Sequence, residues 1–207
     1  NVKVSFKDRK KKISTTGDVL ISHTGVTGPA IIDLSNDIMR KSDYNLLNNE
    51  TKLNNMKISI DLKPELNEDQ LKERITNDIP SNGTTKIKNY MKYYMSNNFI
   101  EYFLNKAQVS SNKTMSSLTR KDKNRIVDNL KHLSFEISDI VSEDAKVTIG
   151  GVNIKEIESK TLESNLVEGL YFAGEVLEPA GPTGGYNLQL CFSTGYLAGK
   201  SASESLK

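Results

Sequence analysis

Two glycine-rich stretches hold the residues best suited to chemistry. Gly169-Leu170-Tyr171-Phe172-Ala173-Gly174-Glu175 reads as a short buried strand ending at a small residue and an acid. Gly181-Pro182-Thr183-Gly184-Gly185-Tyr186-Asn187-Leu188 reads as a turn that delivers a helix. The first N–H groups of a helix have no acceptor inside it, so its start can bind an anion or a carbonyl oxygen. Glycine lets a planar or charged ligand approach the backbone closely. The same glycines also suit plain turns and close packing, and their spacing alone leaves both readings open.

Other reactive side chains are sparse. Cys191 is the only cysteine among 207 residues, which excludes an intrachain disulfide framework and a cysteine-only zinc site. Cys191 sits beside Leu190 and Phe192 in an apolar helix, so buried packing is the expectation, and no Cys-x-x-Cys partner exists for disulfide exchange. Two histidines, His23 and His132, leave little material for a metal centre, and no metal site is expected. His132 falls where a helix hands over to a strand and reads as an exposed or capping residue. Any redox chemistry here needs a borrowed cofactor.

The elements that must position these residues can be read from periodicity. Val2, Val4 and Phe6 alternate as a half-buried strand, a basic turn runs through Asp8 to Lys12, and Gly17 to Ser22 reads as a second strand. His23 to Pro29 is a glycine-punctuated turn into a helix with Ile31, Leu34 and Ile38 near one face, Thr27 serving as a cap. An Asn-rich connection, Leu46 to Asn55, precedes the alternation of Met56, Ile58, Ile60 and Leu62. Asn67 and Gln70 form a capping box for a helix carrying Leu71, Ile75 and Ile79 and ending at Pro80-Ser81-Asn82-Gly83. Lys86 to Leu104 has the spacing of one helix with an aromatic inner face, and Thr119 with Asp122 caps another that buries Ile126, Val127 and Leu130. Strand periodicity returns at Leu133, Phe135 and Ile137, then at Ala145 to Ile149 and Leu170 to Ala173. A last helix runs from Gly184 or Gly185 to about Gly199, with Gly195 and Gly199 four apart as close backbone packing would need.

Composition is bland, but charge is not evenly spread. Hydrophobic residues are 36 % and charged residues 26 %, with a formal net charge of +2, which fits neither wholesale disorder nor a generally basic coat protein. Between Gly83 and Lys131 ten basic residues face three acidic ones, whereas between His132 and Glu178 ten acidic residues face three lysines. This asymmetry places a domain boundary near residue 131. The lysines among Tyr90, Tyr93 and Tyr94 could bind nucleic acid, yet the tyrosines equally explain an amphipathic core face and no nucleic-acid motif accompanies them, so nucleic acid is not expected as a partner. No apolar run reaches bilayer length and no signal segment is seen, so the expected location is the cytosol, without a membrane partner. The chain opens on Asn1 with strand periodicity at once, as though it starts inside something longer.

The segments Val147-Thr148-Ile149-Gly150-Gly151-Val152, Thr161-Leu162-Glu163-Ser164, Gly169 to Leu177 and Gly181 to Gln189 together resemble the C-terminal part of the HI0933-like, or YhiN/BaiN-like, family of NAD(P)/FAD-dependent oxidoreductases. His23-Thr24-Gly25-Val26-Thr27-Gly28-Pro29-Ala30 resembles that family's Thr-His-x-Gly-x-Ser-Gly-Pro-Ala element, with Ser22 and Thr27 as departures. The likeness runs from about residue 17 to residue 200 and is weakest through the helical middle.

The resemblance implies an α+β chain: an insertion domain with β-barrel-like and helical parts, followed by the C-terminal portion of a Rossmann-like FAD-binding domain. Residues 1–143 become the insertion (β-rich at 1–28 and 56–62, helical at 64–131, a strand at 133–140), and 144–207 the returning segment. The Gly-x-Gly-x-x-Gly turn that would hold the FAD pyrophosphate is not in this sequence. A missing N-terminal FAD-binding segment is therefore expected as partner, beside a small-molecule substrate. By the same resemblance Gly174 and Glu175 approach the ribityl and phosphate region, while Gly184, Gly185, Tyr186, Asn187 and Leu188 face the flavin pyrimidine edge, with Gly181 in the loop between. Leu177-Glu178-Pro179-Ala180 departs from the family's usual loop, so Glu178 is not carried over. His23 and Tyr186 are the candidate catalytic residues; His23 serves equally as a turn-stabilising residue. FAD is the implied cofactor and NAD(P)H the implied donor of the intact enzyme, the isolated chain being inactive. A non-catalytic scaffold of flavoprotein ancestry is the alternative, and a start codon directly upstream of Asn1 would favour it.

Overall fold

A computed structural model describes residues 1–7, 12–23, 25–41, 56–139 and 149–206. The basic turn at 8–11, Thr24, the Asn-rich connection and most of the expected strand at 145–149 lie outside the described residues. The chain divides into two compact units: Asn1–Leu34 with Asp43–Asp139, and Ser35–Ser42 with Ile140–Lys207.

The first unit is built on an open antiparallel sheet. Its strands are β1 (Val2–Lys7), β2 (Lys12–Gly17), β5 (Lys57–Asp61) and β6 (Leu133–Glu136), in the order β2-β1-β5-β6. Val4 pairs with Thr15 on one side and Ile60 on the other, and Ile58 pairs with Phe135. Period-two alternation sends Val4, Phe6, Ile13, Ile58, Ile60 and Leu133 inward, where all are buried. A separate ribbon joins β3 (Leu20–Ser22) to β4 (Gly25–Thr27). Among the described residues these sheets are open, where the resemblance implies a barrel-like part.

The ribbon feeds α1 (Pro29–Lys41). Thr27 is not its cap, because it is still paired in β4. The Gly28 carbonyl instead accepts from the N–H groups of Ile31 and Ile32, both at 3.0 Å. A Cβ on Gly28 would stand 2.8 Å from the Asp18 carbonyl, so the chain passes β3 too closely for any side chain.

The helical part contains α2 (Glu68–Asn82), α3 (Ile87–Tyr90), α4 (Asn97–Lys106) and α5 (Arg120–Lys131). Both capping boxes form. Asn67 and Gln70 exchange backbone-to-side-chain bonds of 2.9 and 2.8 Å, and Thr119 with Asp122 does the same at 2.9 and 3.1 Å. The first of these helices ends within the expected Pro80-Ser81-Asn82-Gly83, at Asn82 with Gly83 as its C-cap and Pro80 accommodated in the last turn. The single helix expected over 86–104 is broken. After α3 the chain tightens into a 3-10 turn at Met91–Tyr93 and becomes extended at Ser96, where Ser-Asn-Asn favours capping geometry over helix interior.

Polar anchors fix these helices. The Lys131 ammonium meets Asp61 at 2.6 Å and donates to the carbonyls of Lys63 and Leu66 at 2.9 and 2.5 Å, so all three of its hydrogens are used where α5 reaches β5. Buried Tyr90 donates to Asp78 at 2.5 Å; burial first, and then that carboxylate, hold its phenol well above the ordinary range. His132 follows α5 as its C-terminal cap, and its ring lies 3.3 Å from Glu68, whose carboxyl is lowered chiefly by that hydrogen bond.

Among its described residues 149–185, the second unit has little regular structure before its long helix. Leu170 to Ala173 does not form the expected strand: a single bridge joins Tyr171 to Glu163, and Gly169 and Gly174 bend the chain at either end with φ of 78° and 76°. A parallel bridge joins Val152 to Leu177, and a 3-10 turn at Gly174–Val176 leads into the loop before α6 (Tyr186–Ser205).

Candidate cofactor site

The second unit gathers most of the expected site residues around the first turns of α6. Gly184 and Gly185 adopt φ of 121° and 93° in succession and feed the helix directly. Neither conformation suits an L side chain. A Cβ on Gly185 would meet nothing within 4 Å, so the backbone there is bare. No side chain caps α6, and the first main-chain bond into it runs from Gln189 N–H to the Gly185 carbonyl at 3.0 Å. The preceding N–H groups emerge at the positive end of a helix 20 residues long.

Two side chains of α6 hold the surrounding loops. Asn187 Oδ1 accepts from the Gly181 N–H at 2.7 Å, and its Nδ2 donates to the Gly181 carbonyl at 3.2 Å. Two turns on, Thr194 Oγ1 accepts from the Gly174 N–H at 2.9 Å while donating to the Leu190 carbonyl at 2.6 Å. Half-buried Cys191 lies between them, its Sγ 3.6 Å from where a Cβ on Gly174 would be. Positions 187, 191 and 194 form one helical face against the loop, and 188, 192 and 196 form another. That second face is open: Leu188, Phe192 and Tyr196 are 65 %, 72 % and 74 % exposed.

Thus Gly174, Gly181 and Asn187 are brought together with Gly184 and Gly185, while Glu175, Tyr186 and Leu188 project outward as exposed residues. His23 lies in the other unit, exposed in the turn between β3 and β4. Among the described residues nothing packs closely on Gly195 or Gly199: a Cβ on either would meet no atom within 4 Å. Among the described residues no cluster of His, Cys, Asp and Glu could hold a metal ion.

Three further residues shape the site. Gly151 has φ of 134°, and a Cβ there would fall 2.2 Å from the Val176 carbonyl, whose oxygen accepts from Val152 N–H at 2.8 Å. Arg40 donates to the Ala180 carbonyl at 2.7 Å. Thr194 could have been found by extending the helical face of Asn187 seven residues on; Gly151 was signalled by its doubled glycine; nothing local announced Arg40.

A planar heterocycle bearing ring carbonyls fits this arrangement. Bare backbone at Gly185 leaves room beside the helix, and the uncapped helix start offers donors to its oxygens.

Comparison with known proteins agrees with the likeness seen in the sequence. Residues 1–144 match the family model described as HI0933-like protein barrel and H2TH domain, and residues 104–201 match that of the HI0933-like protein Rossmann domain. The chain is 30 % identical over 186 residues to a ribosomal RNA dihydrouridine synthase of Haemophilus influenzae, covering 89 % of this chain and 42 % of that protein. It is 30 % identical over 190 residues to a 3-dehydro-bile acid delta(4,6)-reductase of Clostridium scindens, covering 91 % and 44 %. It is 25 % identical over 180 residues to a ribosomal RNA dihydrouridine synthase of Escherichia coli, covering 86 % and 40 %. The chain thus spans less than half the length of these curated relatives. With both domain models matched along a mixed α+β chain, this protein belongs to the HI0933-like family.

Proposed function

We propose that the chain is part of an NAD(P)/FAD-dependent reductase, with residues 1–143 as the insertion domain and 144–207 as the returning segment of the FAD-binding domain. The observation that carries this reading is the α6 start: two successive positive-φ glycines, the second of them bare, running into an uncapped helix, with the neighbouring loops pinned to it by Asn187 and Thr194. FAD held there would supply hydride transfer between NAD(P)H and the substrate. The chain's share is positional. First-turn N–H groups of α6 would meet the pyrimidine edge and favour negative charge there, Gly174 and Gly181 let their loops pack closely on α6, and exposed Glu175 would be available to accept hydroxyl hydrogen bonds from the cofactor's ribityl chain.

The relatives' names point to a common reaction class. Dihydrouridine is uridine carrying two more hydrogens, and a delta(4,6)-reductase acts on carbon–carbon double bonds. The substrate class supported here is an unsaturated ring whose carbon–carbon double bond takes up a hydride and a proton.

The first half of the cofactor domain is supplied by residues outside these 207. The test is to purify the chain alone and together with the polypeptide encoded upstream of Asn1, adding FAD to both. Flavin absorbance retained at one equivalent by the pair, with reoxidation of NADH or NADPH, is the expected result. A pair that stays colourless overturns the flavin reading, and stoichiometric flavin on the chain alone overturns the divided site.

A further inference from the structure

We infer that Arg40 is a positioning residue of the cofactor site, acting through the Ala180–Gly181 peptide that leads into α6. The inference rests on the reductase reading above, and it adds to that site a residue from the stretch assigned to the insertion.

Although Arg40 falls within residues 1–143, Ser35–Ser42 belongs to the same compact unit as the loop and α6. The last turns of α1 lie in this stretch. From there Arg40 Nη2 donates to the Ala180 carbonyl at 2.7 Å, the short distance of a charged donor.

The Ala180 carbonyl and the Gly181 N–H are the two ends of one planar peptide unit. Asn187 Oδ1 accepts from that N–H at 2.7 Å, so a side chain of α1 and a side chain of α6 grip opposite ends of the same plane. The following peptide, Gly181–Pro182, has no N–H, and its carbonyl accepts from Asn187 Nδ2 at 3.2 Å. Among the described residues none of these three groups has a main-chain partner. Two side chains thus hold the entry to α6 where no main-chain bond does.

A plane held at one end can still turn about the φ and ψ on either side of it, and glycine at 181 makes that turn easy. Held at both ends, it cannot turn without breaking a second bond. The turn would also be felt by α6, because a Cβ on Gly181 would already stand 2.9 Å from the Tyr186 Cβ. Arg125 offers the contrast. It donates to the Gln108 carbonyl at 3.4 Å, but the N–H of that same peptide, on Val109, is already bonded to the Leu104 carbonyl at 2.9 Å. Arg125 supplements a main-chain bond, whereas Arg40 stands in for one.

The experiment has two arms. In the 207-residue chain, labelling alanine carbonyl carbons and glycine nitrogens lets NMR report the Ala–Gly peptides at 173–174, 180–181 and 198–199, and Ala180→Ser identifies Gly181 by deleting its signal. In Arg40→Ala the Gly181 amide is expected to shift and to exchange with solvent about tenfold faster while the other two signals stay, and Arg40→Lys, which keeps a charged donor, should restore most of this. Arg40 is exposed, so the melting midpoint should move by no more than about 2 °C. In the complete protein Arg40→Ala is expected to weaken FAD binding about tenfold, with Arg40→Lys recovering most of it. Because both residues act on one peptide, Arg40→Ala/Asn187→Ala should lose less than the product of the single losses. An unmoved Gly181 amide, FAD affinity of Arg40→Ala within about twofold of wild type, no recovery with lysine, or single losses that multiply overturns the role and leaves the reductase reading standing. A complete wild-type protein that binds no FAD overturns the reductase reading and this role with it.

Discussion

Asn187 grips both polar groups of the Gly181 peptide backbone, accepting from its N–H at 2.7 Å and donating to its carbonyl at 3.2 Å. A side chain in the first turn of α6 thereby fixes the loop that leads into the same helix. Asn187→Ala removes both bonds and leaves half-buried backbone groups to find other partners. It is expected to cost about 1–2 kcal/mol in urea denaturation of the chain. In the complete protein it is expected to weaken FAD binding, read by fluorescence quenching, and an unchanged affinity would show that the loop does not shape the flavin site.

Thr194 performs the equivalent task for Gly174, accepting its N–H at 2.9 Å. Thr194→Val preserves shape but strands that donor, with an expected loss of about 1–2 kcal/mol. Thr194→Ser keeps the hydroxyl and should restore most of it. A loss in the serine variant with none in the valine variant would assign the effect to packing of the methyl group.

Gly151 tests close backbone approach. An added Cβ would stand 2.2 Å from the Val176 carbonyl and would also sit at φ of 134°. Gly151→Ala must therefore break the Val152 to Leu177 bridge or move the 3-10 turn at Gly174–Val176. The expected loss is about 2–4 kcal/mol, seen as a lower melting midpoint of the chain. Gly150→Ala, where nothing lies within 4 Å, should cost less despite its own positive φ.

These contacts show which features a sequence exposes. Both capping boxes were legible because a box closes within four residues, and its chemistry is independent of the rest of the fold. The start of α6 was legible for the same reason, its glycines being a local signal. Leu170 to Ala173 was misread as a strand because strand identity depends on partners elsewhere, and here only Glu163 answers with a single bridge. The break at Ser96 was missed because apolar spacing continues across it while Ser-Asn-Asn ends the helix. Arg40 was invisible, since its acceptor at Ala180 is 140 positions away.

Asp122 makes acid stability of the helical part predictable. Burial would raise its carboxyl, but Lys113 and the Thr119 hydrogen bonds outweigh that and bring it from the usual 3.8 down to about 2. A folded value below the unfolded one stabilises the fold above about pH 4 and loses that contribution as pH falls toward 2. The contribution is on the order of 1–2 kcal/mol. Asp122→Asn should lower stability by this amount at neutral pH and flatten the acid limb of a stability–pH curve measured by urea denaturation. A variant as acid-sensitive as wild type would assign that limb to other carboxyls.

Leu188, Phe192 and Tyr196 form an apolar stripe on α6 opposite the face that holds Asn187 and Thr194. A helix that spends one face on its own loops and leaves three large apolar side chains in water is built to be covered. In the proposed enzyme the first half of the cofactor domain is the cover. Burying three such residues is worth about 1.5–3 kcal/mol each, so their loss should strongly weaken association with that half. In the chain alone they are already exposed, and replacing them should change stability by only about 0.5 kcal/mol each. Leu188→Ser/Phe192→Ser/Tyr196→Ser is thus expected to leave the melting midpoint of the chain nearly unchanged and to lower its binding of a hydrophobic dye. It should also abolish co-purification with the upstream half. Undiminished co-purification would place the contact between the halves away from this face of α6.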